Sequence, residues 1–267
     1  MKHLFILLAF FSLQSLISAV HAADAAPLPI RFCYEDKEVL PFYRGEGRAV
    51  PVNNPGANIE ILRALEHSAG VEFELIRRPW LRCWDMLEKG SVDALVASFR
   101  SSRLGTLSYP VKDNEVDSQR AMSKAGVCFV GTQEFHEFWQ SRHTSDKRMA
   151  VALPKGYGVS ERLKHEPLTL INALSQDDAF KLVHNGRVSA MMDTCTADGK
   201  RTFVQRSNAK EIAPIYPPFE VNHGYLVFSH EFYDQNKAKI ESLWDALGQQ
   251  NNSQVLERYL NEYSYPR

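Results

Sequence analysis

Three short stretches carry residues whose chemistry suits capture of a small charged solute. In the first, Ser98-Phe99-Arg100-Ser101-Ser102-Arg103 follows a β-rich run that ends at Ala97. An arginine guanidinium is a planar fork that meets a carboxylate with two parallel hydrogen bonds, so Arg103 is a candidate carboxylate clamp. In the second, Asp193 stands at the end of another β-rich run, Val188–Met192. In the third, Gly156-Tyr157-Gly158 leads into an amphipathic stretch. Backbone N–H groups in a glycine loop before a helix form a ready anion cradle. An aspartate facing an arginine across a cleft suits a zwitterion. Signatures of catalysis do not occur: there is no Gly-x-Ser-x-Gly elbow, no phosphate-binding Walker loop and no His-Glu-x-x-His. His136 and His143 could share a helix face, but no third ligand completes a metal set, and no cofactor or metal is expected.

The elements that must position these residues alternate. Ile30–Tyr34 reads as a strand, followed by a Pro-rich loop through Pro41, Pro51 and Pro55. Ile59, Leu62, Leu65 and Ala69 recur at helical spacing, with Gly70 placed as a C-cap. Val71–Ile76 alternates strictly and predicts a half-buried strand. Pro79 opens a second helix ended by Gly90, and Val92–Ala97 is a third strand. The β-α-β-α-β order returns with Met149–Leu153, the glycine loop and its helix, Leu168–Ile171, a helix from Asp177 to Val183, and Val188–Met192. A weak internal echo supports two units of similar build: Leu87-x-x-Gly90-x-Val92-x-Ala94 matches Val183-x-x-Gly186-x-Val188-x-Ala190. Two α/β units, each with a mainly parallel sheet, follow from this order. The polar segment Val111–Lys124 reads as an exit from the first unit. After Pro214, Pro217 and Pro218 come a strand at Tyr225–Phe228 and helices at Phe232–Leu247 and Ser253–Tyr263. No third unit follows, so this tail is expected to return to the first.

The chain has 267 residues and a formal net charge of −1. Nothing in that balance resembles a nucleic-acid footprint. Residues 1–22 read as a cleaved secretory signal: Lys2, an apolar run from Leu4 to Ile17, and small residues around Val20-His21-Ala22. The run is shorter than the roughly 20 apolar residues of a membrane span. Four cysteines remain beyond it, Cys33, Cys83, Cys128 and Cys195. In an oxidising compartment an even count favours disulfides, and four cysteines allow three pairings that spacing does not separate.

Taken in order, four stretches resemble the periplasmic solute-binding proteins of the extracellular family related to polar amino-acid ABC transporters. They are Gly56–Gly70; Pro79–Cys83 running on to Gly90-Ser91-Val92-Asp93-Ala94; Ser98–Arg103 with Leu107-Ser108-Tyr109-Pro110; and Gly156–Gly158 with Asp193. The resemblance implies a two-lobed α/β periplasmic-binding-protein fold whose lobes are joined by a two-strand hinge and close on a ligand. Residues 27–120 and 223–267 would form lobe 1, and residues 121–222 lobe 2. It implies that Arg103 clamps a ligand carboxylate, with Ser98 beside it, and that Asp193 holds an ammonium. It places Gly156, Tyr157 and Gly158 at the cleft and makes Tyr34 an aromatic pocket wall. Arg100 occupies a place where the family often has a small hydroxyl residue, and Val111 follows Pro110 where the family often has a tyrosine. Those departures leave the solute open among an amino acid, a modified amino acid, a dicarboxylate and another small polar metabolite.

The function this implies is periplasmic binding of a small polar solute for delivery to a membrane ABC permease, by a monomer that is not an enzyme. A same-fold dehydratase and a module presenting its ligand to a membrane receptor are the alternatives. Within two lobes, Cys33–Cys83 and Cys128–Cys195 is the expected pairing, because it keeps each bridge inside one lobe and leaves the hinge free.

Overall fold

The computed structural model describes residues 26–144, 146–157, 159–198, 201–202, 212–263 and 265–266. The signal segment 1–22 and Gly158 lie outside the described residues. The chain begins with strand β1 (Leu28–Glu35), helix α1 (Ala57–Ala69), β2 (Val71–Arg78), α2 (Trp80–Glu88) and β3 (Ala94–Ser98). Short strands β4 (Leu107–Ser108), β5 (Val111–Lys112) and β6 (Glu115–Val116) lead to β7 (Ser123–Thr132) and α3 (Gln133–Ser141). Then come β8 (Met149–Pro154), α4 (Val159–Leu163), β9 (Leu168–Ala173), α5 (Gln176–His184) and β10 (Ala190–Cys195). The chain ends through β11 (Arg201–Thr202), β12 (Ile212–Pro214), β13 (Glu220–Ser229), α6 (His230–Gln249), α7 (Asn252–Tyr263) and β14 (Tyr265–Pro266).

The apolar residues of these elements divide into two groups. In the first, alternate residues of β1 enter different cores. Ile30, Phe32 and Tyr34 pack with α1 and α6, through Ile59, Leu62, Leu243 and Trp244. Cys33 packs on the other face with Cys83, Leu87 and Val227. That is the period-two consequence of a pleated strand covered on both sides. In the second group, Ala190 and Met192 of β10 pack with Phe129, Phe135 and Val151. Met191 faces the opposite core with Ala179 and Val183 of α5. Each group is one lobe. In the first, β1 runs parallel to β2 and β3; in the second, β8 runs parallel to β9 and β10.

Strands β7 and β13 run between the lobes as an antiparallel pair, with Ser123 opposite Gly224 and Val127 opposite Glu220. At one end β13 also pairs antiparallel with β3; along its other half β7 pairs with β10. The two crossing strands therefore belong to both sheets. The sequence read Val111–Lys124 as a polar exit and placed the passage between lobes at residues 120–121, but did not anticipate that the chain runs on from there as strand β7 to Thr132. The tail returns to the first lobe: Trp244 donates to the Leu226 carbonyl at 2.8 Å. The Tyr259 hydroxyl accepts from the Gly56 N–H at 3.1 Å and donates to Glu60 at 2.6 Å. Gly56 has φ +108, and a Cβ there would lie 2.3 Å from the Phe42 carbonyl, so only glycine lets this loop meet the start of α1.

Each lobe carries one disulfide. Cys33 of β1 is bonded to Cys83 of α2, and Cys128 of β7 to Cys195 of β10. The bonded residues are 50 and 67 positions apart. Loops of that size restrict the unfolded chain by about 4 kcal/mol each in the chain-entropy treatment. Replacing either pair by serines should lower unfolding free energy by ~2–4 kcal/mol in denaturant titrations, the effect of each pair being additive with the other because they lie in different lobes. A strongly non-additive double replacement would show that the bridges are coupled across the lobes.

Candidate functional site

A cavity of about 230 Å³ lies where the carboxyl ends of the parallel strands converge. That is where open α/β sheets place ligands, because loops and helix starts gather there. From the first lobe come Tyr34 and Glu35 at the end of β1, Asn58 in the first turn of α1, and Ser98, Arg100 and Arg103 beyond β3. From the second come Tyr157, Gln176 at the start of α5, and Asp193 near the end of β10. The crossing strands floor it with Ser123, Ala125, Glu220 and Asn222.

The two candidate arginines are differently occupied. Arg103 sits on a single 3-10 turn, Ser101–Arg103. Its Nη1 donates to the Ser98 carbonyl at 2.9 Å and lies 3.4 Å from the Ser98 hydroxyl. The Tyr109 hydroxyl donates to the same carbonyl at 3.1 Å, and the guanidinium stands 5.5 Å from the centre of the Trp84 ring. Burial lowers its pKa from the usual arginine value, although an arginine remains cationic at neutral pH. No carboxylate pairs with Arg103 among the described residues. Arg100 instead points to Glu220, with Nη2 2.7 Å from Oε1. The other Glu220 oxygen takes Arg162 Nη1 of α4 at 2.6 Å, and Asn222 also donates to the carboxylate. The Glu220 side chain is 2% exposed, against 22% for Arg100 and 54% for Arg162.

Two acids face the cavity without being part of that cluster. Asp193 is buried in β10, opposite Cys128 of β7; the strand runs two residues beyond it, to Cys195, so Asp193 is not its last residue. Glu35 accepts a hydrogen bond from the Tyr157 hydroxyl of the other lobe at 3.3 Å. Burial pushes the Glu35 carboxyl up to about 7; the Tyr157 bond opposes the shift, while Asp36 and Glu46 add to it. Tyr157 is itself raised well above its ordinary value, first by burial and then by Glu35.

Buried in the cavity wall, Tyr34 Oη, Asn58 Oδ1, Gln176 Oε1 and Arg100 Nε have no hydrogen-bond partner among the described residues. A buried polar group left unpaired costs about 1–3 kcal/mol. Their gathering around one space, as both donors and acceptors, fits a polar molecule that bonds to them. Among the described residues no cluster of three or more His, Cys, Asp or Glu could hold a metal ion.

Of the residues singled out in the sequence, Arg103, Ser98, Asp193, Tyr34, Tyr157 and Arg100 all line this cavity. Gly156 does not. It has φ +88, and a Cβ there would fall 2.6 Å from Leu81 Cδ2, so it is a close contact with the start of α2 in the opposite lobe. Glu35, Asn58, Gln176 and Glu220 were missed as site residues. Asn58 and Gln176 carry the signal of a polar residue in a helix's first turn after a strand; Glu35 directly follows Tyr34. Glu220 has no local signal.

No family model and no curated protein sequence matches the chain. Solved structures do, at low identity. The substrate-binding protein AbpA of an amino acid ABC transporter from Streptococcus pneumoniae, bound to L-arginine, is 16% identical, with a TM-score of 0.66 over 87% of this chain and 94% of that one. The periplasmic VFT2 domain of Bordetella pertussis BvgS is 16% identical, with a TM-score of 0.61 over 90% and 94%. The ancestral amino acid-binding protein AncCDT-1, a precursor of cyclohexadienyl dehydratase, is 16% identical, with a TM-score of 0.61 over 88% and 94%. The chain therefore has the two-lobed fold of periplasmic binding proteins.

The exposures of the Glu220 cluster rank its members. Replacing Glu220 by alanine should lower stability by ~3 kcal/mol, because it strands the largely buried Arg100 guanidinium. Replacing the half-exposed Arg162 by alanine should cost under about 1 kcal/mol. Chemical denaturation of the two variants checks this, and equal losses would refute the ranking.

Proposed function

We propose that this chain is a secreted periplasmic binding protein that captures a small zwitterionic solute, an amino acid or a related carboxylate, and hands it to a membrane ABC permease. The observation that carries this reading is Arg103: a desolvated guanidinium in the cleft wall, held by a carbonyl, a hydroxyl and an aromatic ring, with no carboxylate of the described residues paired to it. A solute carboxylate supplies the missing charge. Asp193, buried on the second-lobe side of the same cavity, takes the ammonium. Ser98 orients Arg103, and Tyr34 and Tyr157 wall the site.

In this reading residues 1–22 are the cleaved leader, residues 27–120 with 223–267 form one lobe, and residues 121–222 form the other. The lobes hinge on β7 and β13 and close on the solute. The resemblance in fold to an amino acid ABC transporter's substrate-binding protein supports the delivery step; the resemblance to a BvgS periplasmic domain supports presentation to a membrane receptor as the variant of it. A second reading, a dehydratase-type enzyme, is favoured by one feature, a buried carboxyl with a pKa of about 7 in the cleft, the range suited to a general acid or base. Mass spectrometry of the solute after incubation separates the two: a binding protein returns it unchanged.

Calorimetry tests the site. Arg103→Ala should weaken binding by ~2–5 kcal/mol, which is about 30- to several-thousand-fold, with little change in the melting temperature of the free protein. Asp193→Asn should weaken zwitterions far more than dicarboxylates. Wild-type affinity in Arg103→Ala would remove the carboxylate clamp, and full affinity in Asp193→Asn would remove the ammonium contact.

A further inference from the structure

Two successive residues of the second lobe touch the first lobe at one edge of the cleft. Gly156 packs against the start of α2: a Cβ there would fall 2.6 Å from Leu81 Cδ2 and 3.4 Å from Trp80 Cδ1. Leu81 is 48% exposed, and neither it nor Gly156 lines the cavity. The next residue, Tyr157, donates its hydroxyl to the Glu35 carboxyl at the end of β1, at 3.3 Å. Both contacts are made by the protein alone and join groups that a rotation about β7 and β13 separates.

The surroundings of the Glu35 carboxyl therefore depend on the hinge. With the lobes together, burial pushes it up to about 7; the Tyr157 bond and Lys37 oppose the shift, and Asp36 and Glu46 add to it. With the lobes apart, water reaches it and the value falls toward the ~4.3 of an ordinary glutamate. The nearby arginines are engaged elsewhere. Arg77 donates to the carbonyls of Glu35, Ala49 and Gly45, and Arg78, opposite Glu35 in register on β2, donates to the Arg77 carbonyl at 2.6 Å. Across the cavity, Arg103 is held on Ser98 and Arg100 on Glu220. From the second lobe, burial, Glu35 and Asp193 raise Tyr157, so it stays a neutral donor; Tyr43, behind Glu35, is raised by burial as well. His223 on the crossing strand is lowered by burial and by Lys124.

Resting on the reading of this chain as a hinged solute binder, we propose that Gly156-Tyr157 is a proton-linked latch: as it docks on Leu81 and Glu35, the closing lobes take up a proton at the Glu35 carboxyl, so acid favours the closed form and tightens capture of the solute. The latch keeps its bond when protonated, because the carbonyl oxygen of a carboxylic acid still accepts from a tyrosine hydroxyl. The direction follows from linkage. The closed form holds its proton to higher pH than the open form, so closing is favoured as pH falls through about 7, and the gain is complete below the open-form value. From pH 8 to pH 6 the closing constant rises about tenfold. Gly156 is what lets the latch seat, since a bulky side chain there would meet Leu81 and Trp80 before Tyr157 reached Glu35.

Carbon-13 NMR of the side-chain carboxyls, on the whole mature protein without added solute, tests the latch. The Glu35 signal is identified by its loss in Glu35→Gln. In wild type it should titrate near 7; in Gly156→Trp, where the indole wedges the lobes apart, it should fall back to the ordinary glutamate range. Small-angle scattering should show wild type contracting between pH 8 and pH 6, Glu35→Gln compact at both, and Gly156→Trp expanded at both. A wild-type Glu35 that titrates in the ordinary range, a value the wedge leaves unmoved, or a pH-dependent contraction that survives in Glu35→Gln would each overturn the latch. Should Gly156→Trp not fold, Leu81→Trp sets the wedge from an exposed position on the first lobe. A thermal-shift screen with amino acids of uncharged side chain, whose own charge is constant between pH 6 and pH 8, tests the link to capture. A stabilising amino acid should shift wild type more at pH 6 than at pH 8 and Glu35→Gln equally at both; equal shifts in wild type would overturn the link. If no amino acid stabilises the protein, the amino-acid reading of the solute is lost, and the latch stands or falls on the carboxyl titration.

Discussion

The cleft is arranged around a carboxylate taken out of water. Glu220 lies at the start of a strand that crosses between the lobes, with 2% of its side chain exposed. A lone carboxylate in that position would cost several kcal/mol. It is held by Arg100 from beyond β3 and by Arg162 from α4, so the same anion draws a residue of each lobe toward the crossing. The consequence for recognition is a division of labour between two arginines three positions apart. Arg100 is neutralised by the protein itself. Arg103 is turned onto Ser98 and Trp84 and keeps its charge for the cavity. Without Glu220 both guanidinia would face the solute, and the site would suit a dianion.

The rest of the fold keeps these groups in register. Arg77, almost wholly buried, ties the Gly45–Ala49 loop to the end of β1 and lies 5.3 Å from the centre of the Tyr34 ring. The first-lobe wall is thus fixed by hydrogen bonds from a buried cation to backbone carbonyls. The disulfides act similarly in each lobe: one fastens α2 to β1 beside Tyr34, the other fastens β10 to β7 beside Asp193. Neither joins one lobe to the other, which leaves the passage between lobes to β7 and β13.

How legible this was in the sequence depended on whether the signal was local. Helix α1 was readable because its apolar spacing and Gly70 in the left-handed conformation sit within one stretch. Strand β2 was readable from strict alternation. Strand β7 was not: Ser123–Thr132 contains two glycines, and its residues face a crossing strand, a disulfide and the second-lobe core in turn, so no single periodicity emerges. Among site residues, Arg103 and Asp193 were visible because Arg103 follows a recognisable strand and Asp193 lies near the end of another. Arg100 stood out only as a departure from the family's small hydroxyl residue, and its partner Glu220 lies 120 positions away. Glu35 is bonded by Tyr157, 122 positions distant in the other lobe, and no pattern in the sequence links them. The fold is written in short-range patterns, whereas the charge balance of the cleft is a property of residues brought together from far apart.

That balance also says how such a site discriminates. Contacts alone reward a good solute only modestly, because each exchanges hydrogen bonds with water for hydrogen bonds with protein. The larger lever is the cost of a wrong one. A solute without a carboxylate leaves Arg103 desolvated and uncompensated, a failure that costs ~2–5 kcal/mol, more than a gained hydrogen bond returns. The unpartnered atoms of Tyr34, Asn58, Gln176 and Arg100 extend the same logic to neutral polar groups. Selectivity then arises from groups that the protein has dried and left to bond the solute, Arg103 first among them. It follows that residues such as Glu220, which touch the solute only indirectly, shape specificity by deciding which charges are left over.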